Sequence, residues 1–365
     1  MTNKKLATYL AQLGNRRDFQ TGAVSAPIYL STTFAHPKLG ESTGYDYTRT
    51  NNPTREILEE GLALLENGAR AVATSSGMSA IQLAFNLFPA GSQYLVSRDL
   101  YGGSFRYFAE LEAQKVAQFH YFTDLASLKT QLNDQIAAVF IETPTNPLMN
   151  EIAIREAAEL AHSFGAIVIV DNTFLTPLRQ KPLDEGADIV VHSGTKYLSG
   201  HNDLLAGVVV AKDAQVGERL AWLANTTGPT LAAFDSWLFI RSLKTFELRF
   251  NQQEKNALKV VAALKNATGV KEVLYPEKGA MISIRVTDAS KISDFLSKLT
   301  VFSFAESLGG VESLITYPTT QTHADIPESL RESYGLTPDL LRLSIGLEDA
   351  DDLILDLETA CSVFN

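Results

Sequence analysis

Cysteine is almost absent from this sequence, which has one, Cys361, among 365 residues. A single cysteine cannot form an internal disulfide, and such scarcity is typical of proteins that fold in a reducing compartment. We therefore expect a cytoplasmic protein. Cys361 itself lies in a helical pattern near the end of the chain, where a buried structural residue is a better prediction than a nucleophile.

Other features are missing as well, and each excludes a class of protein. No apolar run approaches the roughly 18 residues of a membrane span, and no apolar segment follows Lys4 and Lys5 as a secretory signal requires. The net charge of −11 disfavours nucleic acid and anionic membranes as partners. Without an H-E-x-x-H segment, or a G-x-G-x-x-G after a predicted strand, neither a zinc protease nor a dinucleotide-binding dehydrogenase is predicted. We expect no metal site.

The sequence does contain an alternation of short apolar runs and helical patterns. The runs are nearly continuous in apolar residues, as in strands that are covered on both faces, and the alternation predicts a mostly parallel α/β sheet. Strands are predicted at Ala71–Thr74, Gln93–Ser97, Ala137–Glu142, Ala166–Asp171, Ile189–His192 and Gly207–Ala211.

The two ends of the chain differ in character from this central part. Residues 1–52 are rich in turn residues, and we expect them to form an arm that packs on a neighbouring subunit. Residues 53–240 hold the predicted sheet, and residues 241–365 indicate a smaller α+β domain. One long helical pattern, from Phe234 to about Ala267, crosses that boundary. The strands predicted beyond it are Met281–Val286, Val301–Phe304 and Leu341–Ile345.

Two charged residues follow neighbouring predicted strands, at the edge where α/β sheets bind ligands. Asp171 ends one strand, and a carboxylate is costly to bury there without a cationic partner. A protonated pyridine nitrogen would be such a partner, although a turn or cap carboxylate is the alternative. Lys196 follows the next strand. A lysine that forms a Schiff base needs a lowered pKa, which burial and nearby cations supply.

Three further segments could complete a site for a phosphorylated pyridine. The turn 74–80, which contains Gly77, could present amides to a phosphate at a helix N-terminus. The hydroxyls of Ser193 and Thr195 could bind the same phosphate. Tyr101 stands beside two glycines and could stack on a pyridine ring, although a core tyrosine is the alternative.

Two arginines stand out because a guanidinium matches carboxylates and phosphates with two parallel hydrogen bonds. Arg49 lies in the predicted arm. Arg342 lies inside an apolar strand pattern, which indicates a partly buried charge with an anionic partner. A structural salt bridge is the alternative reading of Arg342.

These residues together resemble a known family, the Cys/Met-metabolism enzymes that depend on pyridoxal 5'-phosphate (PLP). The resemblance spans essentially the whole chain, from Gly22–Tyr29 to Leu341–Gly346, and segment Asp188–His201 is highly specific to it. It implies PLP as cofactor and the type I PLP-dependent transferase fold, which is aspartate aminotransferase-like. It also implies a homotetramer built from active dimers.

The resemblance assigns a role to each candidate residue. Lys196 would form the Schiff base and move protons, and Tyr101 would stack on the ring and assist proton transfer. Asp171 would pair with the pyridine nitrogen. The phosphate would be held by Gly77, Met78, Ser193 and Thr195, joined by Tyr47 and Arg49 of the neighbouring subunit. The amino-acid substrate would be positioned by Asn146, Glu306, Ser307 and Arg342.

Within the family, the chain resembles the γ-acting members. Glu306 and Leu308 disfavour a dedicated β-lyase, which usually has other residues at these two positions. Among the γ-acting members, cystathionine γ-synthases of the Bacillus type, which also accept sulfide, are the most similar pattern. The resemblance thus implies γ-replacement on an O-acylhomoserine with cysteine, giving cystathionine for methionine biosynthesis. A cystathionine lyase, and more remotely a non-catalytic PLP-binding protein, remain alternatives.

Overall fold

A computed structural model describes residues 4–365 and consists of two sheets with helices packed around them. Within these residues, the larger sheet has seven strands in the order β1-β7-β6-β5-β4-β2-β3. Its strands are β1 Arg70–Thr74, β2 Gln93–Ser97, β3 Gln118–Phe122, β4 Ile136–Glu142, β5 Ile167–Asp171, β6 Ile189–Ser193 and β7 Gly207–Ala211. The neighbouring strands β3 and β2, β2 and β4, β4 and β5, and β5 and β6 pair in parallel. Strand β7 runs antiparallel to both of its neighbours, β6 and β1.

Helices cover both faces of this sheet, and the central strands are apolar along most of their length because both of their faces are buried. Val168 and Val190 face a core that includes Leu58 of the second helix, and Ile169 faces a second core that includes Phe108 of the fourth. The helices of this part are α1 Leu6–Ala11, α2 Pro53–Glu66, α3 Gly77–Phe85, α4 Gly102–Ala113, α5 Leu125–Gln131, α6 Ile154–Ser163, α7 Thr176–Arg179 and α8 Ala214–Thr227.

The last third of the chain forms the smaller sheet, in the order β10-β11-β12-β9-β8. Its strands are β8 Val270–Leu274, β9 Met281–Val286, β10 Ser303–Phe304, β11 Leu314–Thr316 and β12 Leu340–Ser344. The accompanying helices are α9 Ala233–Leu243, α10 Phe246–Leu264, α11 Ile292–Lys298, α12 Glu328–Ser333 and α13 Ala350–Cys361. The α/β architecture, with a mostly parallel sheet and a second smaller sheet, is therefore confirmed.

The structure differs from the sequence prediction at several elements. The long helical pattern is two helices, because the backbone leaves helical geometry at Thr245 (φ −114°, ψ 7°). Val301 and Phe302 precede β10 rather than belonging to it. The first residues are not wholly arm-like, since α1 packs on the chain's own core through Leu10.

The segment from residue 17 to residue 51 forms no helix and no named strand, and most of its side chains are exposed. Its apolar side chains are among the exposed ones, with Phe19 at 92% and Leu30 at 72%. No helix within residues 4–365 has the length and apolarity that crossing a membrane would require.

Candidate active site

A cavity of about 920 Å³, including its open mouth, lies between the two sheets at the carboxyl ends of β4, β5 and β6. Eleven of the residues that the sequence singles out line this cavity, and they come from both sheets. They are Gly77, Met78, Tyr101, Asn146, Asp171, Ser193, Thr195, Lys196, Glu306, Ser307 and Arg342.

One end of the cavity is formed by the start of α3. The amides of Gly77 and Met78 have no intrahelical acceptor because they begin the helix, and Ser76 caps it by accepting from the amide of Ser79 at 3.0 Å. A Cβ at Gly77 would stand 2.9 Å from the Cβ of Ser193, so only glycine allows β6 this close. This end therefore combines free amides, a helix dipole and hydroxyls, which is the chemistry that binds a phosphate.

The carboxylate of Asp171 also lines the cavity. Its Oδ1 accepts from the hydroxyl of Thr173 at 2.6 Å and from the amide of Thr173 at 3.0 Å. Burial raises the pKa of Asp171, and the two hydrogen bonds from Thr173 oppose that rise. A cationic ring nitrogen would satisfy this carboxylate, because it supplies the charge that neutral donors cannot.

The amine of Lys196 lies 3.1 Å from Oγ of Ser307, to which it donates a hydrogen bond. Burial, and next the nearby guanidinium of Arg342, lower the pKa of Lys196 to about 8, while Glu306 acts in the opposite direction. The free-amine fraction of Lys196 near neutral pH is therefore far larger than that of an ordinary lysine, and the free amine is the form that attacks an aldehyde.

Arg342 is 2% exposed, yet its hydrogen bonds go only to neutral groups. It donates to Oδ1 of Asn146 at 2.8 Å, to the carbonyl of Ser307 at 3.1 Å and to the hydroxyl of Thr316 at 3.2 Å. Among the described residues, its Nε has no partner. Because a buried charge without a counterion is costly, this guanidinium is suited to bind a substrate carboxylate.

Asn146 is held in place by a buried histidine that the sequence did not single out. Nε2 of His323 donates to the carbonyl of Asn146 at 3.0 Å, and burial lowers the pKa of His323 to about 4. His323 is therefore neutral, and Arg342 remains the cation at this end. The neighbouring Thr322 lines the cavity. From the sequence, Thr322 and His323 had no role in the site, since they reach it only through the packing of the two sheets.

Other lining residues were also given no role from the sequence. Thr173 could have been found from the sequence, because its hydroxyl stands two positions after Asp171. In the structure this hydroxyl also accepts a hydrogen bond from the amide of Ser193 at 2.9 Å. Ser76 belongs to the predicted phosphate turn, and Leu308 was used only to distinguish members of the family. The rest are Ile81, Glu142, Phe174 and Leu205.

Two predicted site residues lie outside the cavity of their own chain. Arg49 donates to the carbonyl oxygen of Asn225, and its guanidinium lies 5.6 Å from the centre of the Tyr47 ring. Tyr47 is 47% exposed. Their expected role in a neighbouring subunit remains a prediction.

These residues fit PLP, because a phosphate cradle, a carboxylate for a ring nitrogen and an activated lysine meet in one cavity. The fold and the site define a PLP-dependent enzyme of the type I fold. More specifically, the chain belongs to the family described as Cys/Met metabolism PLP-dependent enzymes, whose model matches residues 7–362.

Individual relatives agree with this membership. The chain is 51% identical to a cystathionine γ-synthase/O-acetylhomoserine (thiol)-lyase of Bacillus subtilis (strain 168), covering 99% of this chain and 98% of the relative. It is also 51% identical to a cystathionine γ-synthase of Haemophilus influenzae (strain ATCC 51907 / DSM 11121 / KW20 / Rd), covering 96% of each. Cystathionine γ-synthase of Xanthomonas oryzae pv. oryzae, in complex with aminoacrylate and cysteine, superposes with a TM-score of 0.96. That structure is 40% identical, and the match covers 99% of this chain and 98% of that one. A cystathionine γ-lyase of Bacillus subtilis (strain 168) is 40% identical, covering 98% and 99%.

Proposed function

We propose that this enzyme catalyses γ-replacement on an O-acyl-L-homoserine, with acetyl as the acyl group, and that cysteine is the thiol that gives cystathionine. Sulfide is a second thiol in this proposal and gives homocysteine. The observation that carries the proposal is the buried guanidinium of Arg342 beside Lys196, with no carboxylate among its hydrogen-bond partners. Such a pair suits an amino acid whose α-carboxylate binds Arg342 and whose α-carbon lies near Lys196.

The relatives support the choice of replacement over cleavage. Two relatives named for cystathionine γ-synthase activity are 51% identical to this chain, whereas a named γ-lyase is 40% identical. The acetyl group is favoured because the Bacillus relative is named for O-acetylhomoserine. It also agrees with the cavity, where Lys196 and Arg342 are the basic side chains among the described lining residues. A succinyl group would bring a second carboxylate, which needs a further cation.

The residues divide the chemistry among them. PLP, when bound, supplies an electron sink for charge that develops next to the substrate amine. Arg342 and Asn146 orient the α-carboxylate. Nζ of Lys196 takes the proton from Cα and passes it on before it takes one from Cβ, and once the thiol has added it returns a proton to Cβ and to Cα. The C–O bond at Cγ breaks, the acyl group leaves as a carboxylate, and the thiol gives up its proton and forms a C–S bond at that carbon.

The proposed assembly is a homotetramer built from dimers that share active sites. The exposed apolar side chains between residues 17 and 51 support a partner on this surface. Arg49 and Tyr47 lie in the same segment, and in the proposal they reach the phosphate end of the neighbouring cavity.

Cystathionine cleavage is the second candidate, because a γ-lyase relative matches over the whole chain and a lyase would use the same residues. Mere storage of PLP is disfavoured, since it needs no residue such as Arg342. The test is product analysis of the PLP-loaded protein with O-acetylhomoserine and cysteine, beside reactions with O-succinylhomoserine, with sulfide, and with cystathionine alone. Cystathionine and acetate in the first reaction would support replacement. Release of 2-oxobutanoate or pyruvate from cystathionine, without a replacement product, would overturn it in favour of a lyase.

A further inference from the structure

Glu142 is a buried carboxyl that lines the cavity, and neither the sequence nor the proposed chemistry gives it a role. It is the last residue of β4 and lies directly opposite Asp171 in the parallel ladder. Directly opposite residues of neighbouring strands point to the same face of a sheet. Two carboxyl groups therefore lie side by side at the cofactor end of the cavity.

Glu142 also contacts the segment that carries Tyr101. Its Oε2 accepts a hydrogen bond from the amide of Tyr101 at 2.8 Å. Its own amide donates to Oγ of Ser97, the last residue of β2, at 3.2 Å. The end of β4 thus holds both the end of β2 and the loop that leads from β2 to Tyr101.

The ring of Tyr101 has a second contact that depends on a glycine. A Cβ at Gly103 would lie 2.4 Å from Cε1 of Tyr101, so the ring lies directly over the first turn of α4. The contact of its amide with Glu142 and the contact of its ring with Gly103 hold the backbone and the side chain of Tyr101 in place. Tyr101 is nevertheless 38% exposed, so these contacts, rather than close packing, set its orientation.

The charges around Glu142 favour its neutral form. Asp171 of β5 and Asp99 of the loop after β2 are acidic, Tyr101 contributes its backbone amide, and Arg342 of β12 is the basic group. Burial, and next the charge of Asp171, raise the pKa of Glu142 well above its ordinary value. Burial also raises the pKa of Asp99 to about 7. The proton is best placed on Glu142, because Thr173 stabilises the charge of Asp171.

We propose that Glu142 is a positioning residue which, as a neutral carboxylic acid, fixes the Tyr101 ring over the cofactor by accepting its backbone amide. The inference depends on the proposed function at one point: the ring of Tyr101 must face bound PLP. A glutamine has the same shape as the protonated acid and keeps an acceptor oxygen, so Glu142→Gln should preserve the position of Tyr101. Aspartate is one methylene shorter and should not reach the amide of Tyr101.

The first experiment is a double-mutant cycle between Glu142 and Tyr101. It measures the dissociation constant of PLP and the circular dichroism of bound PLP, together with turnover. Because a small misplacement of an active-site group is costly, we expect Glu142→Ala to reduce turnover at least about tenfold and to alter the dichroism. In a Tyr101→Ala background, the same change should add less than about twofold, since coupled residues are not additive. Additive losses would overturn the proposal.

Conservative variants test the protonation state. Glu142→Gln should stay within about threefold of wild type in turnover and in PLP affinity, because an isosteric replacement leaves the acceptor in place. Glu142→Asp should behave like Glu142→Ala. Glu110→Gln is the matched control, since Glu110 is exposed on α4. A glutamine variant as impaired as the alanine variant would show that the charge of Glu142 is required, and would overturn the neutral-acid part.

Infrared spectroscopy of PLP-free protein, with isotopically labelled glutamate, gives a readout that does not depend on any substrate. We expect a band of a protonated glutamate carboxyl at neutral pH, which Glu142→Gln removes and Glu110→Gln keeps. If that band is absent, the inference fails even where cystathionine synthesis is observed. If the band is present but no amino acid reacts, the proposed function fails and the inference stands.

Discussion

Arg342 and Asn146 are joined by a hydrogen bond of 2.8 Å that connects β12 of the smaller sheet with the loop after β4 of the larger one. The contact is buried, with Asn146 3% exposed. The carboxylate end of the site therefore exists only when the two sheets are packed together. Neither sheet alone supplies the whole set of acceptors. Thr316 ends β11 and Ser307 follows β10 in the smaller domain, whereas Asn146 follows β4 of the larger sheet.

Arg342→Lys tests whether the fork of the guanidinium binds the substrate carboxylate. Lysine keeps the charge but cannot make parallel hydrogen bonds, and loss of a buried charge-assisted contact costs about 2–4 kcal/mol. We expect KM for the amino-acid substrate to rise at least about thirtyfold, because each 1.4 kcal/mol is a factor of about ten. Steady-state kinetics measures this change.

The matched control is Arg285→Lys on the adjacent β9. Arg285 pairs with Glu272 at 3.0 Å and Asp339 at 3.2 Å, away from the cavity. Arg285→Lys should leave KM within about twofold of the wild-type value, because it changes an ion pair away from the cavity. An unaltered KM in Arg342→Lys would remove the carboxylate role from Arg342.

Lys196 should capture PLP with an unusual pH dependence. Only the free amine attacks the aldehyde, and the lowered pKa of about 8 means that half of Lys196 is neutral at that pH. In the PLP-free protein, we expect the capture rate to rise about tenfold per unit below pH 8 and to level off above it. The visible absorbance of bound PLP, followed after rapid mixing, measures the rate.

The comparison for this profile is a small lysine derivative, whose amine titrates near 10.4, so that its rate keeps rising well past pH 8. Arg342→Met removes a nearby positive charge that lowers the pKa of Lys196. Its profile should therefore shift to higher pH. Identical profiles for the protein and the small amine would contradict the lowered pKa.

The sequence was sufficient to predict most of the strands buried on both faces and the residues at their carboxyl ends, but it missed β11, which is buried yet only three residues long. It missed β3 because Gln118 and His120 of this edge strand are exposed, which interrupts the apolar run. It missed β8 for the same reason, since Lys271 and Glu272 are exposed there. An apolar pattern detects burial rather than strand pairing, so edge strands with exposed polar residues escape it, whereas the buried edge strand β1 does not.

The candidate site divides in the same way. Lys196 and Asp171 follow apolar strands and could be singled out from local sequence. Thr322 and His323 could not be given a role in the site from local sequence, because they enter it through contacts between the two sheets. Glu142 was visible at the end of its strand, but its role depends on a hydrogen bond to Tyr101, 41 residues away in sequence.

A mixing experiment tests whether active sites are shared between subunits. Lys196→Ala removes the amine of one subunit's own site, and Arg49→Ala removes the guanidinium that it would lend to its neighbour. If sites are shared, a mixed dimer contains one intact site, so co-expression of the two inactive variants should restore up to about a quarter of wild-type activity. Mass spectrometry of the intact assembly gives its subunit number.

Mixing Lys196→Ala with Lys196→Met is the control, because no arrangement of these two chains rebuilds an amine. It should restore nothing. If the Arg49→Ala variant is fully active alone, or if mixing it with Lys196→Ala gives no gain, the shared-site assembly is wrong.

We expect the carboxylate of Asp356 to contribute much of the free energy that holds α13 against the smaller sheet. Its carboxylate is 5% exposed and accepts four hydrogen bonds, from the amide and hydroxyl of Thr300 and from the amides of Val301 and Phe302. Burial opposes ionisation, but these bonds outweigh it and keep the pKa of Asp356 below its ordinary value. We expect Asp356→Asn to lower the free energy of unfolding by about 2 kcal/mol at pH 7, because it loses charge-assisted bonds.

The pH dependence follows from the direction of that shift. A carboxyl whose pKa is depressed by folding contributes its full stabilisation above the unfolded-state pKa of about 3.9 and loses it as the pH falls through the lower folded-state value. The difference between wild type and Asp356→Asn, from urea unfolding of PLP-free protein, should therefore be constant from pH 6 to pH 7 and shrink below about pH 4. Glu358→Gln, an exposed change on the same helix, should alter stability by less than about 0.5 kcal/mol. A difference for Asp356→Asn that stays constant down to pH 3 would mean that packing, rather than the ionised carboxylate, holds α13.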